Sequence, residues 1–180
     1  MTHTILIAGY GGQGILFMGQ FFAYLGMANN MRVTWVPSYG PEMRGGSANC
    51  TVVISSDEIK FPIVTDPEAV ILMNEPSYRR FKDKFFPKYK IVNTSLVDIE
   101  SENDVIGIPA SKIAEELGNV RVANMVMAGG YVELIKDLDV SKVEEILKNL
   151  LKERLHLLEI NLKAFEAGRK YIGGKEWKGL

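Results

Sequence analysis

Residues 1–31 contain no Asp, Glu, Lys or Arg, and the glycine loop Gly9-Tyr10-Gly11-Gly12-Gln13-Gly14 sits inside that stretch. The run Thr4-Ile5-Leu6-Ile7-Ala8 before the loop predicts a buried strand. Ile15 to Ala28 after it predicts a helix with no charged face. A surface helix keeps a polar stripe toward water. This one therefore needs cover on most sides, from its own domain or from another subunit. Strand, glycine turn, helix and strand in that order define an α/β domain.

The chain has 180 residues, enough for a sizeable core. The expected organisation is one α/β domain over 1–168 and a short tail over 169–180. A net charge of −1 gives no bulk attraction to nucleic acid or to an anionic membrane. Cys50 is the only cysteine, so an internal disulfide, an iron–sulfur cluster or a structural zinc held by cysteines is excluded. It reads as a small buried strand residue. Ile15–Ala28 falls short of a spanning helix, and no secretory signal precedes it. The expected location is cytoplasmic.

Further along, Arg32 to Pro37 predicts a second strand, followed by the Gly- and Pro-rich loop Ser38 to Gly46. Ser47 to Ser55 is a third strand, and Ile59 to Val64 is its expected hairpin partner, which makes the sheet mixed. Glu68–Met73, Tyr89–Asn93 and Val105–Ile108 are further strands. Pro76–Phe86 is a short basic helix whose cations read as a solvated face. Pro109 opens a helix that Gly118 ends. Arg121–Ile135 is an apolar helix in which Gly129-Gly130 marks close packing. Ser141 to Glu144 fits a capping box. Apolar residues from Val143 to Phe165 then recur at helical spacing, as two helices or one bent one, ending near Gly168. The fold class is a three-layer, Rossmann-like α/β domain with a mixed, mostly parallel sheet and a C-terminal helical segment.

Gly9, Gly11 and Gly14 match G-x-G-x-x-G between a strand and a helix, the setting of a dinucleotide-binding turn. Small residues there let backbone N–H groups and the helix N-terminus approach an anion. The fingerprint also needs an acid about 20 residues on for the ribose hydroxyl. The next acid is Glu42, well past the second strand, and Gln13 places an amide in the anion site. Three alternatives stay open: a nicotinamide dinucleotide, a different phosphate-bearing ligand, or glycines that serve packing alone.

No catalytic set is visible. His3, at a flexible N-terminus, and His156, in an amphipathic helix, are the only histidines, and neither has a nucleophile beside it in sequence. No G-x-S-x-G elbow and no Cys/His cluster occurs. Arg44 stands out in the second loop because Gly45-Gly46 leaves its guanidinium unobstructed. It suits a phosphate, a substrate carboxylate or a partner's acid, or else a salt bridge to Glu42. Two elaborate glycine loops without an acid, base, nucleophile or metal site suggest part of a larger enzyme.

These segments together resemble a known family. The glycine loop and Trp35-Val36-Pro37-Ser38-Tyr39-Gly40-Pro41-Glu42-Met43-Arg44-Gly45-Gly46 look like the gamma subunit of 2-oxoacid:ferredoxin oxidoreductases. Ser47-Ala48-Asn49-Cys50, Ile108-Pro109-Ala110, Gly118-Asn119, Val122-Ala123-Asn124-Met125 and Asn161 to Gly168 extend the likeness almost end to end. The resemblance implies an enzyme that converts a 2-oxoacid, coenzyme A and oxidised ferredoxin to an acyl-CoA, carbon dioxide and reduced ferredoxin. Thiamine diphosphate, magnesium and iron–sulfur clusters are then expected on alpha, beta and delta subunits, with ferredoxin met through the complex. No cluster motif follows Leu180, so a ferredoxin-like part is expected on another polypeptide. 2-Oxoglutarate is the favoured substrate, ahead of branched-chain 2-oxoacids and pyruvate.

This chain is then a subunit with no catalytic residue and no metal ligand of its own. Its role is in assembly and in a coenzyme A site. The residues assigned to that site are Gly9, Gly11, Gly12, Gln13, Gly14, Tyr39, Gly40, Glu42, Arg44, Gly45, Gly46 and Asn124, with Asn124 placed to satisfy buried backbone near the loops. Two rivals remain: the beta subunit of an indolepyruvate oxidoreductase, and a stand-alone NAD-binding dehydrogenase.

Overall fold

The computed structural model describes residues 1–38, 47–99 and 104–175. Its elements run β1 (Thr2–Tyr10), α1 (Ile15–Ala28), β2 (Arg32–Ser38), β3 (Ser47–Ser55), β4 (Ala69–Leu72), α2 (Glu75–Phe81), β5 (Tyr89–Asn93), β6 (Ile106–Ile108), α3 (Ala110–Glu116), α4 (Ala123–Ile135), α5 (Val143–Leu150) and α6 (Leu158–Gly173). Six strands form one sheet in the order β2-β3-β1-β4-β5-β6. β1, β4, β5 and β6 are parallel neighbours, while β3 runs antiparallel to both β1 and β2. The sheet is mixed, as expected, but through β3 itself.

Residues 59–64 form no strand. Both edges of β3 are already bonded, to β1 and to β2. The expected hairpin partner therefore has no ladder left to join.

Alternate strand residues face opposite layers. Ile5, Ile7, Cys50, Val52, Ile54, Ile71 and Ile91 pack under α1, α3, α4, α5 and α6. Leu6, Ala8, Val70, Leu72 and Val92 pack against Tyr78 and Phe81 of α2 on the other face. α1 is covered mainly by its own chain, with Phe21, Phe22 and Leu25 fully buried and Tyr24 and Met27 left at the surface. α4 is buried at every position from Ala123 to Val132, which is why it reads as apolar all round. Phe22 and Tyr131 meet edge to face at 5.4 Å, and Phe21 meets Phe165 at 5.5 Å, locking α1 to α4 and α6.

Other expectations shift by local chemistry. α2 ends at Phe81 rather than Phe86 and is capped by Asn74, whose Oδ1 accepts the Ser77 N–H at 3.0 Å. The Ser141 capping box does not form; α5 begins after Lys142 with no side-chain cap. Instead the Asp139 carboxylate accepts both the Ser141 N–H at 2.9 Å and its hydroxyl at 2.8 Å. α6 does not stop at Gly168 but runs to Gly173. Beyond 168, Arg169 bonds Glu133 of α4 at 3.2 Å and Ile172 is buried, so the residues expected to begin a tail are helical and anchored. No helix among the described residues is long and apolar enough to cross a membrane.

Candidate functional site

β1 and β4 lie side by side, yet the helices that follow them cover opposite faces of the sheet. Their carboxyl ends thus form a topological switch point, where open α/β sheets usually take ligands. The glycine loop leaves β1 at this point. Gly12 (φ 97°) and Gly14 (φ 71°) occupy the left-handed region that Cβ-bearing residues avoid. Gln13 N–H donates to Tyr10 O at 3.2 Å, closing the turn. A Cβ on Gly9 would come within 2.6 Å of Ile15 and 2.9 Å of Met73.

Gln13 does not fill an anion site. Its Oε1 folds back to accept the Tyr10 N–H at 2.7 Å and Asn74 Nδ2 at 2.8 Å. Asn124, at the start of α4, donates from Nδ2 to Gly14 O at 3.2 Å and accepts the Met125 N–H at Oδ1. It therefore satisfies loop backbone from 110 residues away in sequence. A Cβ on Gly14 would strike that same amide.

Beside the loop lies an open cleft of about 580 Å³. Gly12 and Gly14 line one side. Asn119, Arg121 and Asn124 come from the entry to α4. Arg154 and His156 come from the α5–α6 connection, and Asn161 from the start of α6. Arg121, Arg154 and His156 are exposed, so two guanidiniums and an imidazole face solvent around a glycine turn and two helix starts. That combination suits a phosphorylated ligand. Another cleft, of about 380 Å³, opens at the other end of β1 beside Asp57, Glu58 and Asp66. Its acids suit no anion.

The cleft gathers some expected site residues and omits others. Gly12, Gly14 and Asn124 line it. Gly9 is buried behind the loop and Gln13 turns away. Tyr39, Gly40, Glu42, Arg44, Gly45 and Gly46 lie outside the described residues. Their anchors are placed, however: Ser47 pairs with Tyr10, and Ser38 with Asn49. The second loop thus leaves and re-enters the sheet at the glycine-loop end. Arg121, Arg154, His156 and Asn161 were not singled out as site residues by sequence. The available signal was that Arg154 and His156 interrupt the apolar spacing between α5 and α6.

Both histidines sit differently from expectation. His3 is not at a flexible terminus: it is 3% exposed in β1, with Nδ1 3.2 Å from Glu68 Oε2. His156 lies in a single 3-10 turn, Leu155–Leu157, not in an amphipathic helix. Cys50 is buried, and burial pushes its thiol up to about 12. Among the described residues no group of His, Cys, Asp and Glu is arranged to hold a metal ion.

Residues 4–171 match the family described as Pyruvate ferredoxin/flavodoxin oxidoreductase. The chain is 35% identical over 170 residues to Ketoisovalerate oxidoreductase subunit VorA of Methanothermobacter thermautotrophicus, covering 93% of this chain and 36% of that protein. It thus spans about a third of the length of that relative. It is 33% identical over 186 residues to 2-oxoglutarate synthase subunit KorC of Methanothermobacter marburgensis, covering 96% and 97% of the two chains. Among solved structures it is similar to a 2-oxoglutarate:ferredoxin oxidoreductase from Magnetococcus marinus with 2-oxoglutarate, coenzyme A and succinyl-CoA bound. There the TM-score is 0.85 at 26% identity, over 98% of this chain and 32% of that one.

Proposed function

The chain belongs to the pyruvate ferredoxin/flavodoxin oxidoreductase family, and from that premise we propose that it is the gamma component of a 2-oxoacid:ferredoxin oxidoreductase and contributes to its coenzyme A site. The reaction joins a 2-oxoacid and coenzyme A, releases carbon dioxide and passes two electrons to ferredoxin. The single observation that carries the coenzyme A assignment is the cleft in which Arg121, Arg154 and His156 surround Gly12 and Gly14. Coenzyme A is the reactant with phosphates, and guanidiniums with exposed loop backbone are what phosphates select.

In this reading Arg121 and Arg154 bind phosphate oxygens and Gly12 and Gly14 allow close backbone approach. Arg44 is a further anion contact for the cofactor, within the second glycine-rich loop, Tyr39 to Gly46. Coenzyme A supplies the thiol that takes up the acyl group; this chain binds and orients it. Thiamine diphosphate, magnesium and the clusters belong to the alpha, beta and delta partners, since one buried cysteine cannot hold a cluster. The assembly works in the cytoplasm. 2-Oxoglutarate and branched-chain 2-oxoacids are the two substrates to rank, because KorC and VorA are similar to this chain at nearly equal identity.

The test is anaerobic purification of the native assembly, followed by 2-oxoacid- and coenzyme A-dependent dye reduction. Arg154→Ala is expected to raise the KM for coenzyme A about tenfold, the worth of one charge-assisted contact. The KM for the 2-oxoacid stays unchanged. Equal coenzyme A constants in variant and wild type would remove the cleft from the reaction.

A further inference from the structure

We propose that Gln13 is a positioning residue: it holds the glycine loop in the form that meets coenzyme A while not touching the cofactor. The inference rests on the coenzyme A reading above. Its basis is a difference between neighbours. Gly12 and Gly14 line the arginine cleft, and Gln13 between them does not. The Gln13 side chain turns to the opposite side, toward the ends of β1 and β4.

One oxygen does most of the holding. Gln13 Oε1 accepts the Tyr10 N–H at 2.7 Å and Asn74 Nδ2 at 2.8 Å, while Nε2 reaches Met73 O at 3.5 Å. Asn74 is itself fixed: it is 2% exposed, and its Oδ1 caps α2 through the Ser77 N–H. Met73 O also accepts from Asn93 Nδ2 at 3.3 Å, and Asn93, fully buried, donates to Ser111 Oγ at 2.9 Å. A row of amides, Gln13, Asn74 and Asn93, therefore crosses the carboxyl ends of β1, β4 and β5.

That row lies at the switch-point crevice where a nucleotide would usually sit. Here side chains occupy it. The loop is pinned from behind, and its free side is the one that opens on Arg121 and Arg154. Asn74 and Asn93 are buried, so breaking their bonds leaves desolvated groups, and half-buried Gln13 is braced against Asn74. Such a backing converts a glycine turn, otherwise the most adaptable kind of backbone, into a preformed surface.

The experiment uses the assembled oxidoreductase and three variants. Gln13→Met keeps the length of the side chain and removes its hydrogen bonds. Asn74→Ser keeps the α2 cap and removes only the donor to Gln13. Arg154→Ala tests the cleft itself. Gln13→Met is expected to raise the KM for coenzyme A about tenfold and Asn74→Ser to raise it less. Both leave the KM for the 2-oxoacid and kcat at saturating coenzyme A within about twofold, and both speed amide hydrogen exchange in residues 9–14.

A normal coenzyme A KM in Gln13→Met, with a raised one in Arg154→Ala, would overturn the positioning role and leave the cleft in place. Normal values in all three would overturn the cleft and the inference together. If Gln13→Met fails to assemble, Asn74→Ser decides: a selective rise in coenzyme A KM supports the role. A proportional fall in kcat with unchanged KM values makes the amides merely structural and overturns it.

Discussion

A Cβ placed on Gly168 would sit well inside 3.0 Å of Val126 O, and one on Gly129 would meet Phe165 O in the same way. Both clashes are with backbone of the facing helix, so no side chain can swing aside. α4 and α6 touch only because both positions lack a side chain. Gly168→Ala is therefore expected to cost stability at or above the upper end of the roughly 1–3 kcal/mol typical of overpacking. Gly12→Ala is the control: its φ is 97° but nothing lies within 4 Å. It should lose only about 1–2 kcal/mol, from backbone strain. Urea unfolding of the two variants checks this, and equal losses would mean that the helices can separate without penalty. The same residue shows what sequence can carry. Gly168 after an apolar repeat reads as a helix end, yet its φ is not positive and the helix passes through it. A terminating glycine and a packing glycine are the same letter. The partner that distinguishes them, Val126, is 42 residues away. Gln13 is a similar case, because Met73 and Asn74, which turn it away from the anion side, come from the β4–α2 junction about 60 residues on.

The join between α4 and α5 shows how a helix start is set by an element remote in sequence. Asn29, at the end of α1, accepts the Asp139 N–H at 2.8 Å and donates to Asp139 O at 3.0 Å. Asp139 is held there and its carboxylate serves Ser141, so the serine is engaged before it could cap α5. The capping box was legible as a pattern, but Asp139 holds Ser141 in a turn and the helix begins one residue later, after Lys142. The Ser141 N–H, and then its hydroxyl, hold the Asp139 carboxyl below the usual carboxylate range. A depressed folded value stabilises the fold above the unfolded pKa of about 3.9, and that contribution is lost as pH falls through the folded value. Asp139→Asn keeps the turn and removes the titration. Its melting temperature should fall less than that of the wild type between pH about 5 and about 2. Parallel acid limbs for the two proteins would show that Asp139 is not linked to folding.

At the scale of the whole molecule, a sheet end that looks like a dinucleotide site lacks two features of one. Strand, glycine turn and helix at the front of the chain were legible because they are local. The position of β3 was not, since an antiparallel strand inserted between β1 and β2 leaves the sequence order unchanged. Its consequence is physical. β2 stands two strands from β1, roughly 10 Å at the usual spacing. The short carboxylate side chain that the fingerprint places there would stand a strand's width further from a ribose at the glycine loop. The missing acid and the displaced strand thus point the same way, and the Gln13–Asn74 amides already occupy the crevice beside the loop. The open surface is the arginine cleft on the α1–α4–α6 side instead. NADH titrated into the purified protein should accordingly give no saturable change in nicotinamide fluorescence up to about millimolar concentration, the weakest range of specific binding. Coenzyme A in the assembled enzyme should protect the segment around Arg154 and His156 from hydrogen exchange. Saturable NADH binding would mean that the loop can shed Gln13 and accept a nucleotide at the strand ends, and the separation of crevice from cleft would fail. Protection by coenzyme A with no response to NADH would show that a dinucleotide-like turn works here facing sideways, onto a helix-lined cleft.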